Sequence, residues 1–107
     1  MRLAFADPRN MTISPLNMHY KRPRPDVSDI RPSIGRRGVL VPLLVQEIFD
    51  DGVIAVGRFG IVGGARRWYA AMDEIAAGVE IDPLPIAILD PGDDAAAIEA
   101  SGGFSAL

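Results

Sequence analysis

The chain contains no cysteine. Disulfide bridges, thiolate metal ligands and thiol nucleophiles are therefore all excluded, and the absence fits a reducing compartment. Histidine is almost missing as well. His19 alone offers an imidazole, in a polar, proline-rich stretch, so a zinc site would lack ligands. No apolar run approaches the roughly 20 residues that a helix needs to cross a bilayer, and the opening Met1–Asp7 has too short an apolar stretch for a secretory leader. Basic side chains are missing from the whole segment after Arg67, and Lys21 is the sole lysine.

What is present reads as one soluble domain. The chain has 107 residues, 49% of them hydrophobic, enough for one core and too few for two. Its net charge of −3 hides a gradient. Residues 1–38 carry eight basic side chains against three acidic ones, a net of +5. Residues 39–69 are balanced, and residues 70–107 hold eight acids and no base. Such segregation predicts a basic face for a polyanion, unless folding lays the two ends side by side.

Local patterns predict mixed elements. Residues 1–10 read as a loosely held tail, and Met11–Leu16 as an edge strand that Pro15 ends. Residues 17–25 read as an extended, exposed loop. Ser28 suits a helix cap, with Val27, Ile30 and Ile34 on one face; Pro32 must fall in the first turn, and Gly38 is the stop. A buried strand is predicted over Leu43–Phe49, followed by the Asp50-Asp51-Gly52 turn and a return strand at Val53–Val56. Gly57-Arg58 should break this run before Phe59–Val62 resumes it. A second helix is predicted from about Gly64 to Ala77, with Trp68, Ala71, Met72 and Ile75 inward and Gly78 as its stop. Leu84–Leu89 reads as a last strand, Asp94 to about Ala100 as an alanine-rich helix, and 102–107 as irregular. The hairpin excludes a regular doubly wound sheet, leaving a small α+β domain.

The most specific chemistry lies in Gly63-Gly64-Ala65-Arg66-Arg67-Trp68. Paired glycines between a strand and a helix permit a tight turn and close backbone approach. The first amides of the helix then face outward at its positive end. Arg66 and Arg67 add planar donors that match phosphate oxygens. This is a candidate anion site, although a glycine turn followed by a solvated arginine face would show the same letters.

Three blocks, in order, resemble the N-terminal domain of the ParB partition-protein family, whose fold is shared with sulfiredoxins. Ser33–Val45 looks like the family's helix end, Gly-x-x-x-Pro turn and apolar strand. Ile61–Ala71 looks like its Gly-x-Arg-Arg box. Leu84–Leu89 with Asp93–Ser101 resembles the strand and helix before its third motif. The resemblance covers residues 11–101, with 1–10 as a flexible N-terminal tail and 102–107 as a C-terminal one. It implies a mixed sheet flanked by helices and a site for CTP with magnesium. Gly38, Val39, Leu40, Val41 and Pro42 would shape the pocket, and Gly63, Gly64, Ala65, Arg66 and Arg67 would hold the phosphates. It also implies a cytoplasmic protein associated with nucleoid or plasmid, a homodimer, and DNA or a partition ATPase as partner. Lys21, Arg22, Arg24, Arg36 and Arg37 are the candidate contacts.

The sequence departs from that family at three places. Ala65 stands where many members have a carboxylate, and Val41 where many have Gln. After Ser101 the letters read Gly102-Gly103-Phe104-Ser105-Ala106-Leu107 in place of a Glu-Asn-x-x-Arg helix, and no helix-turn-helix follows. The expectation is nucleotide binding with weak or absent hydrolysis. The alternatives are a metal-dependent nuclease, for which Asp93, Asp94 and Glu99 are the carboxylate candidates, and a non-catalytic DNA-binding module that ignores sequence. Sulfiredoxin chemistry is excluded by the missing thiol.

Overall fold

The computed structural model describes residues 1–90. Its elements are β1 (Arg2–Ala6), a single 3-10 turn (Pro8–Asn10), β2 (Met11–Ile13), α1 (Arg31–Arg37), β3 (Leu43–Asp50), β4 (Val53–Gly63), α2 (Ala65–Ala76) and β5 (Leu84–Ile88). The strands form one mixed sheet in the order β1-β5-β3-β4-β2. β1 runs antiparallel to β5 and β3 antiparallel to β4. β5 is parallel to β3, and β2 parallel to β4. This is the α+β class expected from the sequence. The expected helix after Asp94 lies outside the described residues.

Alternation along the strands creates two unequal faces. Leu43, Val45, Ile61, Leu84, Ile86 and Ile88 meet Ile34 of α1 and Ala65, Ala70 and Ala71 of α2 in the main core. Leu44, Val62, Ala87 and Leu89 form a smaller cluster. Small alanines on α2 let its axis approach the sheet closely. Ala71 is buried as expected, and Trp68 is half-buried against the core, whereas Met72 and Ile75 are only partly covered.

Three expectations need correction. Residues 1–10 are not a loose tail, because Arg2–Ala6 pairs along Leu84–Ile88 and covers the backbone edge that β5 would otherwise expose. Ala4 and Ala6 pack toward the core while Leu3 and Phe5 stay exposed. The Met1 amine and the Arg2 guanidinium pin this strand to Asp90 and Glu47. Gly57-Arg58 does not break the strand. Between Glu47 and Phe49 on β3, β4 advances from Phe59 to Ile54, so Val56-Gly57-Arg58 is absorbed as a bulge with Gly57 at φ 79°. Residues 17–25 are not extended either. They open with successive turns, and Asn17 is buried, its Nδ2 donating to the carbonyls of Ile61 (3.2 Å) and Val62 (2.8 Å).

The helix ends follow local chemistry. Asp26, rather than Ser28, organises the entry to α1: its Oδ1 accepts from the Ser28 amide at 2.9 Å. Hydrogen bonds from the Ser28 backbone and side chain, with the nearby Arg66 guanidinium, hold the Asp26 carboxyl below its usual pKa. Pro32 sits in the first turn, and Gly38 ends the helix at φ 72° with its amide on the Ile34 carbonyl. At the far end of α2, Gly78 and Val79 donate back to Ile75 and Glu74, which closes the last turn.

Candidate anion site at the start of the second helix

β4 delivers the chain to Gly63, and Gly64 turns it into α2 with φ 91° and ψ 20°. That left-handed conformation already favours glycine. The surroundings demand it a second time: a Cβ on Gly64 would lie 2.6 Å from Arg67 Nη2 and 2.7 Å from Leu43 Cδ2. With no side chain at the cap, nothing from Gly64 competes for the Ala65 and Arg66 amides, which precede the first bond of the helix, from the Arg67 amide to the Gly64 carbonyl at 3.1 Å. Leu43 is fully buried, so the turn rests directly on the core.

Arg67 curls back over this turn. Its Nη1 donates to the Val41 carbonyl at 2.6 Å, a bond spanning 26 residues. The loop after Gly38 is thereby tied to the glycine turn, and the two blocks that the sequence placed in one pocket are brought together. Arg66 faces solvent on the other side. Its guanidinium donates to Asp29 Oδ1 at 2.6 Å and to the Asp26 carbonyl at 3.0 Å. The two adjacent arginines thus have different surroundings. Arg67 is part-buried and braces backbone; Arg66 is exposed and held by the Asp26–Asp29 loop.

Neighbouring contacts hold α2 in place. Trp68 Nε1 donates to the Pro8 carbonyl at 2.8 Å. Arg24 lies 4.9 Å from the Tyr69 ring centroid and pairs with Asp73 at 2.8 Å. Arg31 pairs with Glu74 at 2.8 Å. The acidic C-terminal face of α2 therefore neutralises arginines of the N-terminal half, and the charge gradient along the sequence is partly folded away. Of the proposed polyanion contacts, Arg24 is engaged in this way and Lys21 lies 5.6 Å from the Tyr20 ring centroid. Arg22, Arg36 and Arg37 are exposed, the last two in the final turn of α1, where the helix dipole favours cations.

The pocket-shaping residues divide as well. Val39 is buried, Leu40 is exposed, and Val41 and Pro42 are half-buried. Among the described residues no three His, Cys, Asp or Glu side chains converge as a metal site, and the carboxylate beside the cradle, Asp29, is paired with Arg66. Asp93, Asp94 and Glu99 lie outside the described residues. Asn17, Asp29 and the Val41 carbonyl were missed by sequence reasoning. A main-chain acceptor leaves no mark in the letters, and Asp29 reads as an ordinary loop acid.

The sequence matches the ParB N-terminal domain family over residues 7–101, and the chain belongs to that family. It is similar to the chromosome-partitioning protein ParB of Caulobacter vibrioides, in strain NA1000 / CB15N and equally in strain ATCC 19089 / CIP 103742 / CB 15. Identity is 38% over 65 residues, which is 61% of this chain and 19% of each relative. The chain thus spans about a fifth of the curated relatives it matches. Its fold is similar to that of the C-terminally truncated chromosome-partitioning protein ParB from Caulobacter crescentus, whose crystal structure is a complex with CTP-gamma-S. The TM-score is 0.66 at 27% identity, covering 95% of this chain and 51% of that one. No helix among the described residues is long and apolar enough to cross a membrane.

Proposed function

We propose that this chain is the nucleotide-binding module of a chromosome- or plasmid-partitioning protein and takes CTP at the start of α2. The observation that carries the reading is the Arg67–Val41 bond. It fixes the Gly38–Pro42 loop beside a glycine turn at the positive end of α2. The solved neighbour's complex with CTP-gamma-S supports the choice of nucleotide.

Phosphate oxygens accept from the Ala65 and Arg66 amides at the positive end of α2. Arg66 leaves the Asp29 carboxylate and donates to the triphosphate in its place. A surface pair of this kind is worth only about 0.2–1 kcal/mol, so the more highly charged anion wins the exchange. Arg67 acts as a positioning residue that keeps the pocket loop against the turn. Magnesium would accompany the triphosphate as its counter-ion.

On this reading the wider protein works in the cytoplasm at nucleoid or plasmid. DNA, a partition ATPase and a second copy are its partners, with Arg22, Arg36 and Arg37 as the available cations. Ala65 at the cradle is consistent with binding without efficient hydrolysis. Calorimetric titration with CTP and magnesium should show saturable binding, weakened about tenfold by Arg66→Ala, the loss expected of one charge-assisted contact. Absence of saturable binding for any nucleoside triphosphate at millimolar concentration would overturn the proposal.

A further inference from the structure

The β3–β4 hairpin runs well past the body of the sheet. β5 pairs with β3 only over Leu43–Val45, and β2 pairs with β4 only over Met11–Ile13 against Phe59–Ile61. Among the described residues, no strand covers the outer edge of β4 from Val53 to Arg58. The two-residue turn makes Asp50 and Val53 the closing hydrogen-bonded pair. The next residue, Ile54, therefore directs its own N–H and C=O away from β3, toward that open edge.

The side chains here are as unusual as the backbone. Phe49 lies opposite Ile54, and Val56 follows two residues along, where the bulge begins. They are 61%, 44% and 93% exposed. An open edge beneath an exposed apolar face is what a monomer normally blunts with charge. Here the charges lie only at the two ends, Asp50 and Asp51 at the tip and Arg58 at the base.

We propose that this distal hairpin is a self-association surface, in which two copies of the chain pair antiparallel along the open edge of β4 about a two-fold axis at Ile54. The pattern is self-complementary. Ile54 faces its own copy, the two Phe49-Ile54 pairs merge into one apolar surface with Val56 at its margin, and the acidic tip of each copy comes beside Arg58 of the other. Parallel pairing is disfavoured, since it sets tip against tip and base against base, carboxylates on carboxylates. The Gly57 bulge ends the pairing at Arg58, so the contact closes as a dimer instead of growing into a fibre. The inference stands apart from the nucleotide reading, because it uses the opposite end of β4 and needs no ligand.

Because the chain has no cysteine, a single introduced thiol reports the contact directly. Facing residues in a hydrogen-bonded antiparallel pair have Cα atoms about 5.5 Å apart, inside the ~4.4–6.8 Å window of a disulfide. Under mild oxidation without nucleotide, Ile54→Cys should form a covalent dimer at least tenfold faster than Leu3→Cys, an exposed site on the opposite edge. In sedimentation velocity from micromolar to millimolar, the unmodified chain should dimerise reversibly. Val56→Lys should weaken the dimer more than tenfold. Asp50→Lys with Asp51→Lys should weaken it severalfold, and adding Arg58→Glu should restore it. Far-ultraviolet circular dichroism confirms that each variant is folded, as expected for exposed positions. A chain monomeric at every concentration overturns the proposal. So do equal cross-linking rates, or a dimer indifferent to these substitutions.

Discussion

The two ends of β4 each use a glycine in the left-handed region, yet they are built differently. At the hairpin end, Asp51 (φ 51°) and Gly52 (φ 78°) form a turn of the mirror type that suits twisted strands. A Cβ on Gly52 would meet nothing within 4 Å. At the other end, Gly64 adopts a similar conformation under Arg67 and Leu43, with no room for a methyl group. A positive φ by itself marks a place where the chain reverses. A positive φ beneath a folded-back arginine marks a place where the missing side chain makes room for that arginine.

That contrast can be broken by experiment. Gly64→Ala carries both the conformational and the steric cost, and should destabilise the chain by about 2–4 kcal/mol while removing CTP binding. Paired denaturation curves and calorimetric titrations check this; an alanine tolerated as well at 64 as at 52 would erase the distinction. Arg67→Ala should come next. It leaves the Val41 carbonyl without its charged donor, for about 1.5–3 kcal/mol, and should lower CTP affinity even though the first-turn amides remain. Arg67→Lys should recover little, since an ammonium lacks the planar fork. Gly52→Ala carries only the backbone term, about 1 kcal/mol by denaturant unfolding, and should leave nucleotide affinity unchanged.

The smallest effect concerns acid. The Asp26 carboxyl is held low in the folded chain by Ser28 and Arg66. Its contribution is therefore complete above the ordinary carboxylate pKa and is lost as pH falls through the lowered folded value. Thermal melts between about pH 5 and pH 3 should show a shallower decline for Asp26→Asn than for the unmodified chain. Asp51→Asn, at the hairpin tip, serves as the reference on the other side of the comparison.

Much of the candidate site's backbone was legible because glycine announces its geometry. Gly63-Gly64 between an apolar run and Trp68 implied a turn into a helix, and that is where α2 begins. Asp50-Asp51-Gly52 implied the hairpin for the same reason. The division of labour between Arg66 and Arg67 was not legible, since adjacent identical residues look alike until a helix points them in different directions. β1 was missed because its partner lies some 80 residues away in the chain and because Leu3 and Phe5 face solvent, which masks the alternation. Gly57 was read as an end because a bulge and a break use the same residue, and only the register against Phe49 tells them apart.

The long-range bonds around α2 carry a consequence for how the molecule comes into being. Arg67 reaches back 26 residues, Arg66 reaches back 37 and Trp68 reaches back 60. The β3–β4 hairpin, in contrast, closes across two residues. Contacts of high sequence separation form late because chain entropy must be lost before they repay it. The hairpin therefore forms early in refolding, and the cradle is a late product. Substitutions at Asp51 and Gly52 should slow refolding, whereas Arg67→Ala should chiefly speed unfolding. A nucleotide present during refolding would then leave the folding rate nearly unchanged and act afterwards, as a latch on a chain that has already found its shape.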